Sequence, residues 1–141
     1  MVAATGAAVI VIAALVALIT STGGPSSQAE RVASARAAAS EALDGLQLVE
    51  IEYGQAVQDG RIVVATEYDA AGADVQRAKD ALAKHHNDLR AIDPRGVGRA
   101  NRAIDAVRAA VDRRVTSTEL KASVAAARRI IESLGDRRQR A

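Results

Sequence analysis

The chain has two histidines, His85 and His86, and they stand side by side. Imidazole ligates metals and titrates near neutrality, so a histidine pair is the first place to look for chemistry. A helical metal pair is spaced so that both ligands share one face, whereas neighbouring residues point about 100° apart. Here the apolar periodicity places His85 on the inward face and His86 at its edge. That favours a boundary histidine hydrogen-bonded locally over a metal, ligand or pH-sensing role. The second group is carboxylate: Glu50, Glu52, Glu67 and Asp69 flank one interhelical connection. Hard cations take oxygen ligands, so these four are candidates for a cation, set against the plainer reading of solvated faces and caps. No Ser-His-Asp order, phosphate loop or zinc spacing occurs, and Gly96-Val97-Gly98 lacks the third glycine and preceding strand of a dinucleotide loop. Neither catalysis nor a cofactor is expected. The absence of cysteine excludes disulfides, thiolate metal sites, a lipoprotein anchor and covalent haem attachment.

The elements that must position these groups are helical. Roughly a quarter of the 141 residues are alanine, and the only aromatic side chains are Tyr53 and Tyr68. Alanine lines thin interfaces and brings helices close together. A buried Leu, Ile or Val contributes about 1.5–3 kcal/mol and an alanine much less, so the expected bundle is modestly stable and leans on a partner or a membrane. Net charge is +2, with both signs interspersed. No basic stripe with interleaved aromatics is present to track phosphates and stack bases, so nucleic acid is not an expected partner.

Residues 1–20 carry no charged side chain. About 20 helical residues span roughly 30 Å, the hydrocarbon thickness of a bilayer. The segment is therefore expected to be a transmembrane anchor, with an uncleaved or cleaved signal sequence as the alternative. Residues 21–27 are a polar, breaker-rich linker, residues 28–135 the helical bundle, and residues 136–141 a basic tail. That tail carries Arg137, Arg138 and Arg140. It reads as a solvated helix end, or as a contact for anionic lipid heads.

Four seams, with apolar residues in alternating steps of three and four, predict an all-α protein: the transmembrane helix followed by an antiparallel bundle of about four helices. The first seam runs Val32, Ala35, Ala39, Ala42, Leu46, Val49, Tyr53, Ala56, behind an N-cap at Ser26 or Ser27. Asp59-Gly60 is expected to end that helix. Arg61–Val64 reads as an irregular connection rather than a sheet strand. Thr66 with Asp69 resembles a capping box for the second helix, whose seam continues from Tyr68 through Leu82 and His85 to Ile92. Asp93-Pro94 fits a cap and first-turn proline, although Gly96 and Gly98 delay the expected regular helix to about Arg99. Thr116 with Glu119 is a full capping box for the last helix, with the seam Leu120, Val124, Ala127, Ile131, Leu134 and a stop at Gly135.

One stretch is more specific than periodicity. Tyr53, Ala56, Val57, Asp59, Gly60, Ile62, Val63, Glu67 and Tyr68, in that spacing, resemble the extracytoplasmic helical region that precedes the permease core in bacterial Ftr-type iron permeases. The upstream Leu46–Glu52 segment and the two later helices fit as well. In that family an Asn cap stands shortly before the Glu-Tyr pair, where this chain has Val64. The Arg-Glu-x-x-Glu motif of the permease helices does not occur. The resemblance implies an accessory domain on its own anchor, outside the cytoplasmic membrane. Its partner would be another membrane or envelope protein, in an iron-uptake setting. Arg31 and Arg36 after the apolar segment point the other way under the positive-inside rule. Two further readings stand beside it: a helical envelope or phage-lysis spacer, and a four-helix ligand- or metal-sensing domain. Independently of the family, Tyr53 and Tyr68 lie on their seams and flank the same connection, so both are expected to pack inward with their hydroxyls on polar partners.

Overall fold

A computed structural model describes residues 27–136. The expected anchor at residues 1–20, most of the linker and the basic tail from residue 137 onward lie outside the described residues. Among the described residues no helix is long and apolar enough to cross a membrane.

The element order is α1 (Gln28–Ala56), β1 (Val57–Gln58), β2 (Arg61–Ile62), α2 (Ala65–Lys84), α3 (His86–Ile92), α4 (Pro94–Asp112) and α5 (Ser117–Asp136). Ser27 caps α1 in a reciprocal box with Glu30. That satisfies two of the backbone donors a helix start leaves open. At about 1.5 Å per residue the 29 residues of α1 reach about 43 Å, the full height of the molecule.

Each long helix runs antiparallel to its neighbours. Gly45 of α1 meets Asp74 and Ala78 of α2. Lys79 of α2 pairs with Asp105 of α4 at 2.7 Å. Gly96 near the start of α4 lies against Leu134 near the end of α5. The main contacts follow the perimeter α1–α2–α4–α5 and back to α1, with α3 packed on α1 and α4. This is an up-down-up-down four-helix bundle in which α3 continues the descent of α2. The core holds Leu46, Val49 and Tyr53 from α1 and Val75 and Leu82 from α2. Ile104, Val107 and Val111 of α4 join Leu120, Val124 and Ile131 of α5 to complete it. Eleven alanines are buried in the same cluster, as thin interfaces require.

Several expectations need correction. Arg61 and Ile62 do form a strand: they pair antiparallel with Gln58 and Val57 in a minimal hairpin. Asp59 and Gly60 both take positive φ, 50° and 74°, the backbone signature of a tight hairpin turn rather than of a simple helix stop. The Thr66–Asp69 capping box does not form. α2 begins two residues earlier, at Ala65, behind Val64, which offers no side-chain cap. The second helix is broken at His85 (φ −110°, ψ 21°) into α2 and α3. Apolar spacing survives the break because only one residue leaves the helical region. α4 is regular from Pro94, with Asp93 accepting the Gly96 amide at 2.8 Å. Gly96 does not weaken this start. A Cβ there would run into the capping carboxylate of Asp93 and come within 2.6 Å of Leu134, so a side chain at this position would push both aside. α5 continues through Gly135 to Asp136.

Candidate functional site

The two tyrosines sit where α1, α2 and the α4–α5 turn converge. Tyr53 is fully buried, and its hydroxyl donates to the Val115 carbonyl at 2.6 Å. Tyr68 is half-buried and donates to the Val111 carbonyl at 3.1 Å. The Val111 carbonyl belongs to the last turn of α4 and the Val115 carbonyl to the α4–α5 turn, so the two phenols tie α1 and α2 to that corner. Burial pushes the Tyr53 hydroxyl above its ordinary value, Tyr68 and Glu119 add to the rise, and Arg114 opposes it. Tyr53 is sealed in the core, and Tyr68 borders a groove between α2 and α4. Both pin the first helical pair to the second.

Of the four candidate carboxylates, the bundle joins two. Glu52 on α1 and Glu67 on α2 lie close enough across the helix pair for Glu67 to act on the Glu52 carboxyl. That contact is the largest cause raising the Glu52 carboxyl, followed by burial and by the charges of Glu67 and Asp74. Such a pair retains a proton more readily than an isolated carboxylate. Glu50 and Asp69 stand apart from it. Glu50 lies two residues from Glu52 on α1, which turns it toward the α5 side. Asp69 lines a groove between α2 and α4, of about 310 Å³, with Tyr68, Gly72 and Arg108. Arg108 spans this groove, donating to the Gly72 carbonyl at 3.3 Å and to Asp112 at 3.0 Å. His85 is half-buried at the α2–α3 break and His86 is exposed. Among the described residues no three His, Cys, Asp or Glu side chains gather into a group that could hold a metal ion.

Sequence reasoning missed Asp74. It is buried at 5 % exposure, takes an ion pair from Arg77, and adds to the field on Glu52. Its position three residues after Ala71 of the seam was the available signal.

The remaining family-like positions build one structure. Ala56 ends α1 and its carbonyl accepts the amides of Val63 at 2.7 Å and Val64 at 3.3 Å. Val57 is buried opposite Ile62, and Asp59 and Gly60 make the turn. A cleft of about 400 Å³ separates this hairpin from the start of α5, lined mainly by Gly54, Gln58, Asp59, Gly60, Val115 and Thr116. The motif read as a sequence signature is therefore the hairpin that turns α1 into α2, with a tyrosine on either side.

Nothing among the curated proteins or the solved structures matches the chain. A family match covers residues 28–138, the whole of the described bundle. Its extent coincides with the fold boundaries, and it agrees with the resemblance carried by the Tyr53–Tyr68 stretch: the chain belongs to the family of the iron permease-associated 4-helix bundle domain.

Proposed function

We propose that this chain is an accessory module of a bacterial iron-uptake system, held at the cytoplasmic membrane by its apolar N-terminal segment, with the bundle on the extracytoplasmic side. It acts by contact with another membrane or envelope protein and performs no reaction of its own. Membership of an iron permease-associated family over residues 28–138 carries the reading. Two features support it. The uncharged run at residues 1–19 is long enough for one membrane crossing. Within the bundle, capping residues, ion pairs and tyrosine links close helix ends and bond one helix to another.

The test is a deletion strain with radiolabelled iron uptake under iron limitation, combined with fractionation of the full-length chain. Uptake is expected to fall and to recover with the intact gene, and the chain to fractionate with the membrane. Protease added to spheroplasts is expected to digest the bundle. Unchanged uptake in the deletion strain would refute the iron role. Protection from external protease would refute the orientation.

A further inference from the structure

Among the described residues the exposed large hydrophobics are Leu48, Ile51, Ile62, Val63 and Val64, at 37–50 % exposure. Single exposed apolar residues are ordinary, but these five fall within seventeen consecutive residues at one end of the bundle. α4 and α5 contribute none. Leu48 and Ile51 continue a stripe that begins with Glu41 and Asp44. Steps of three, four and three put all four on one side of α1, and all four are exposed. Over about 15 Å of helix the stripe passes from acidic to apolar. Val63 and Val64, bonded to the Ala56 carbonyl, extend the apolar end beyond the last turn of α1. Charge follows the same division. Residues 28–84, from the start of α1 to the end of α2, hold ten acidic side chains and six basic, whereas residues 94–136 hold nine basic and five acidic.

We infer that the outer face of α1, with the Ile62–Val64 segment, docks a cationic amphipathic segment of a partner protein, its apolar side chains over Leu48 and Ile51 and its Lys or Arg over Glu41 and Asp44. Charge complementarity selects this occupant. An anionic lipid surface would be repelled by the acidic stripe. A second copy using the same face would set acid against acid. A second copy offering α4 and α5 would bring the right charge but no exposed large apolar side chain. The inference deepens the accessory reading by naming the partner's chemistry, and rests on it only in taking the partner to be a protein.

The experiment is site-specific photocrosslinking of the full chain in its host, with a photoreactive residue at position 48, 51 or 63 and a control at the exposed Ala106 on α4. Crosslinked peptides are then identified by mass spectrometry. Adducts from 48, 51 and 63 are expected on one protein segment that combines net positive charge with apolar residues, and none from 106. Reversing both rim charges (Glu41→Lys with Asp44→Lys) is expected to cut the yield roughly tenfold. The Leu48→Asp, Ile51→Asp pair should abolish it while circular dichroism stays helical, because both positions are exposed. Adducts on lipid, on a second copy or on an acidic segment, or no adducts, overturn the inference. A cationic partner with no part in iron uptake leaves this surface standing and removes the iron reading. An iron phenotype without adducts does the reverse.

Discussion

The two helical hairpins of the bundle bury comparable cores yet are made differently. In α4–α5 the turn is conventional: Thr116 and Glu119 form a complete capping box, the Thr116 amide donating to Glu119 at 2.9 Å and Thr116 Oγ1 accepting from the Glu119 amide at 3.2 Å. Its outer faces are polar and on balance basic. In α1–α2 the turn is a two-residue β-hairpin, the second helix starts on an uncapped Val64, and the outer face carries apolar residues beside acids. A helix start without a cap and an apolar surface both cost stability or solubility, and sequences that specify one fold ordinarily avoid both. Departures confined to one hairpin are what the proposed docking face would require. The other hairpin is the support.

The joint between the hairpins gives the sharpest test. Tyr53 reaches from α1 to the carbonyl of Val115, and Tyr53→Phe leaves that acceptor in a buried setting. A loss of about 1–3 kcal/mol is expected in denaturant unfolding, the cost of an unsatisfied buried polar group. The half-buried Tyr68 makes the longer bond, so Tyr68→Phe should cost less, about 0.5–1.5 kcal/mol. Equal costs would mean that burial does not set the difference and that the hairpins are joined elsewhere.

Gly96 tests the supporting hairpin. Alanine would normally gain up to about 1 kcal/mol in a helix interior. Here its Cβ would displace the capping carboxylate of Asp93 and press on Leu134, so Gly96→Ala is expected to destabilise by about 1–2 kcal/mol. A neutral or stabilising result would show that α4 can shift away from α5 at low cost.

The cap asymmetry can be inverted. Thr116→Ala removes the cap of α5 and should cost about 1 kcal/mol. Val64 has the extended backbone (φ −132°, ψ 102°) that an N-cap requires. Val64→Ser should therefore stabilise by about 0.5–1 kcal/mol while removing an exposed apolar side chain. If Val64 belongs to the docking face, the same change weakens partner crosslinking from position 63. Better folding with poorer docking would separate the two demands on this residue.

What could be read from the sequence follows the range of the interactions. The Thr116–Glu119 box, the Asp93 cap with Pro94 in the first turn and the α5 seam all rest on neighbours within four residues, and each forms as expected, although α4 is regular from Pro94 and not only from Arg99. The bundle class follows from periodicity. The hairpin was hidden because the α1 seam runs unbroken to Ala56, so Val57 read as the next turn of helix and Arg61–Val64 had no visible partner. Asp59-Gly60, with Val57 and Ile62 two positions to either side, was the signal that outweighed it. The break at His85 has no proline or glycine to announce it. Among the candidate carboxylates, Glu52 and Glu67 meet while Glu50 and Asp69 do not. Which of four acids face one another depends on the rotation of α1 against α2, a tertiary quantity set by contacts such as Gly45 on Ala78. The docking face was invisible for the same reason: an apolar residue is known to be left over only once the others have found the core.

The smallest expected effect concerns protons, and its sign distinguishes the hairpins. Glu52 in α1–α2 is raised from its ordinary value, chiefly by the Glu67 hydrogen bond. A carboxyl with a raised folded pKa contributes stability that is full below its unfolded value and is lost as pH climbs through the folded one. Glu119 in α4–α5 is lowered by its bonds to the Thr116 amide and hydroxyl. Its contribution is present above the unfolded value and disappears as pH falls through the folded one. Between about pH 3 and 6, where carboxylates titrate, the two hairpins therefore respond in opposite directions. Melting temperatures across that range should show it. Glu52→Gln keeps a hydrogen-bonding group beside Glu67 and removes the charge. It should raise the melting temperature at the upper end of the range and leave it nearly unchanged at the lower end. Glu119→Gln should lower it at the upper end and converge on the parent at the lower. Both differences are expected to be small, since both carboxyls border solvent. Parallel shifts for the two variants would mean that Glu52 and Glu67 do not share a proton, and that the acidic side of the bundle is held apart by water rather than joined across α1 and α2.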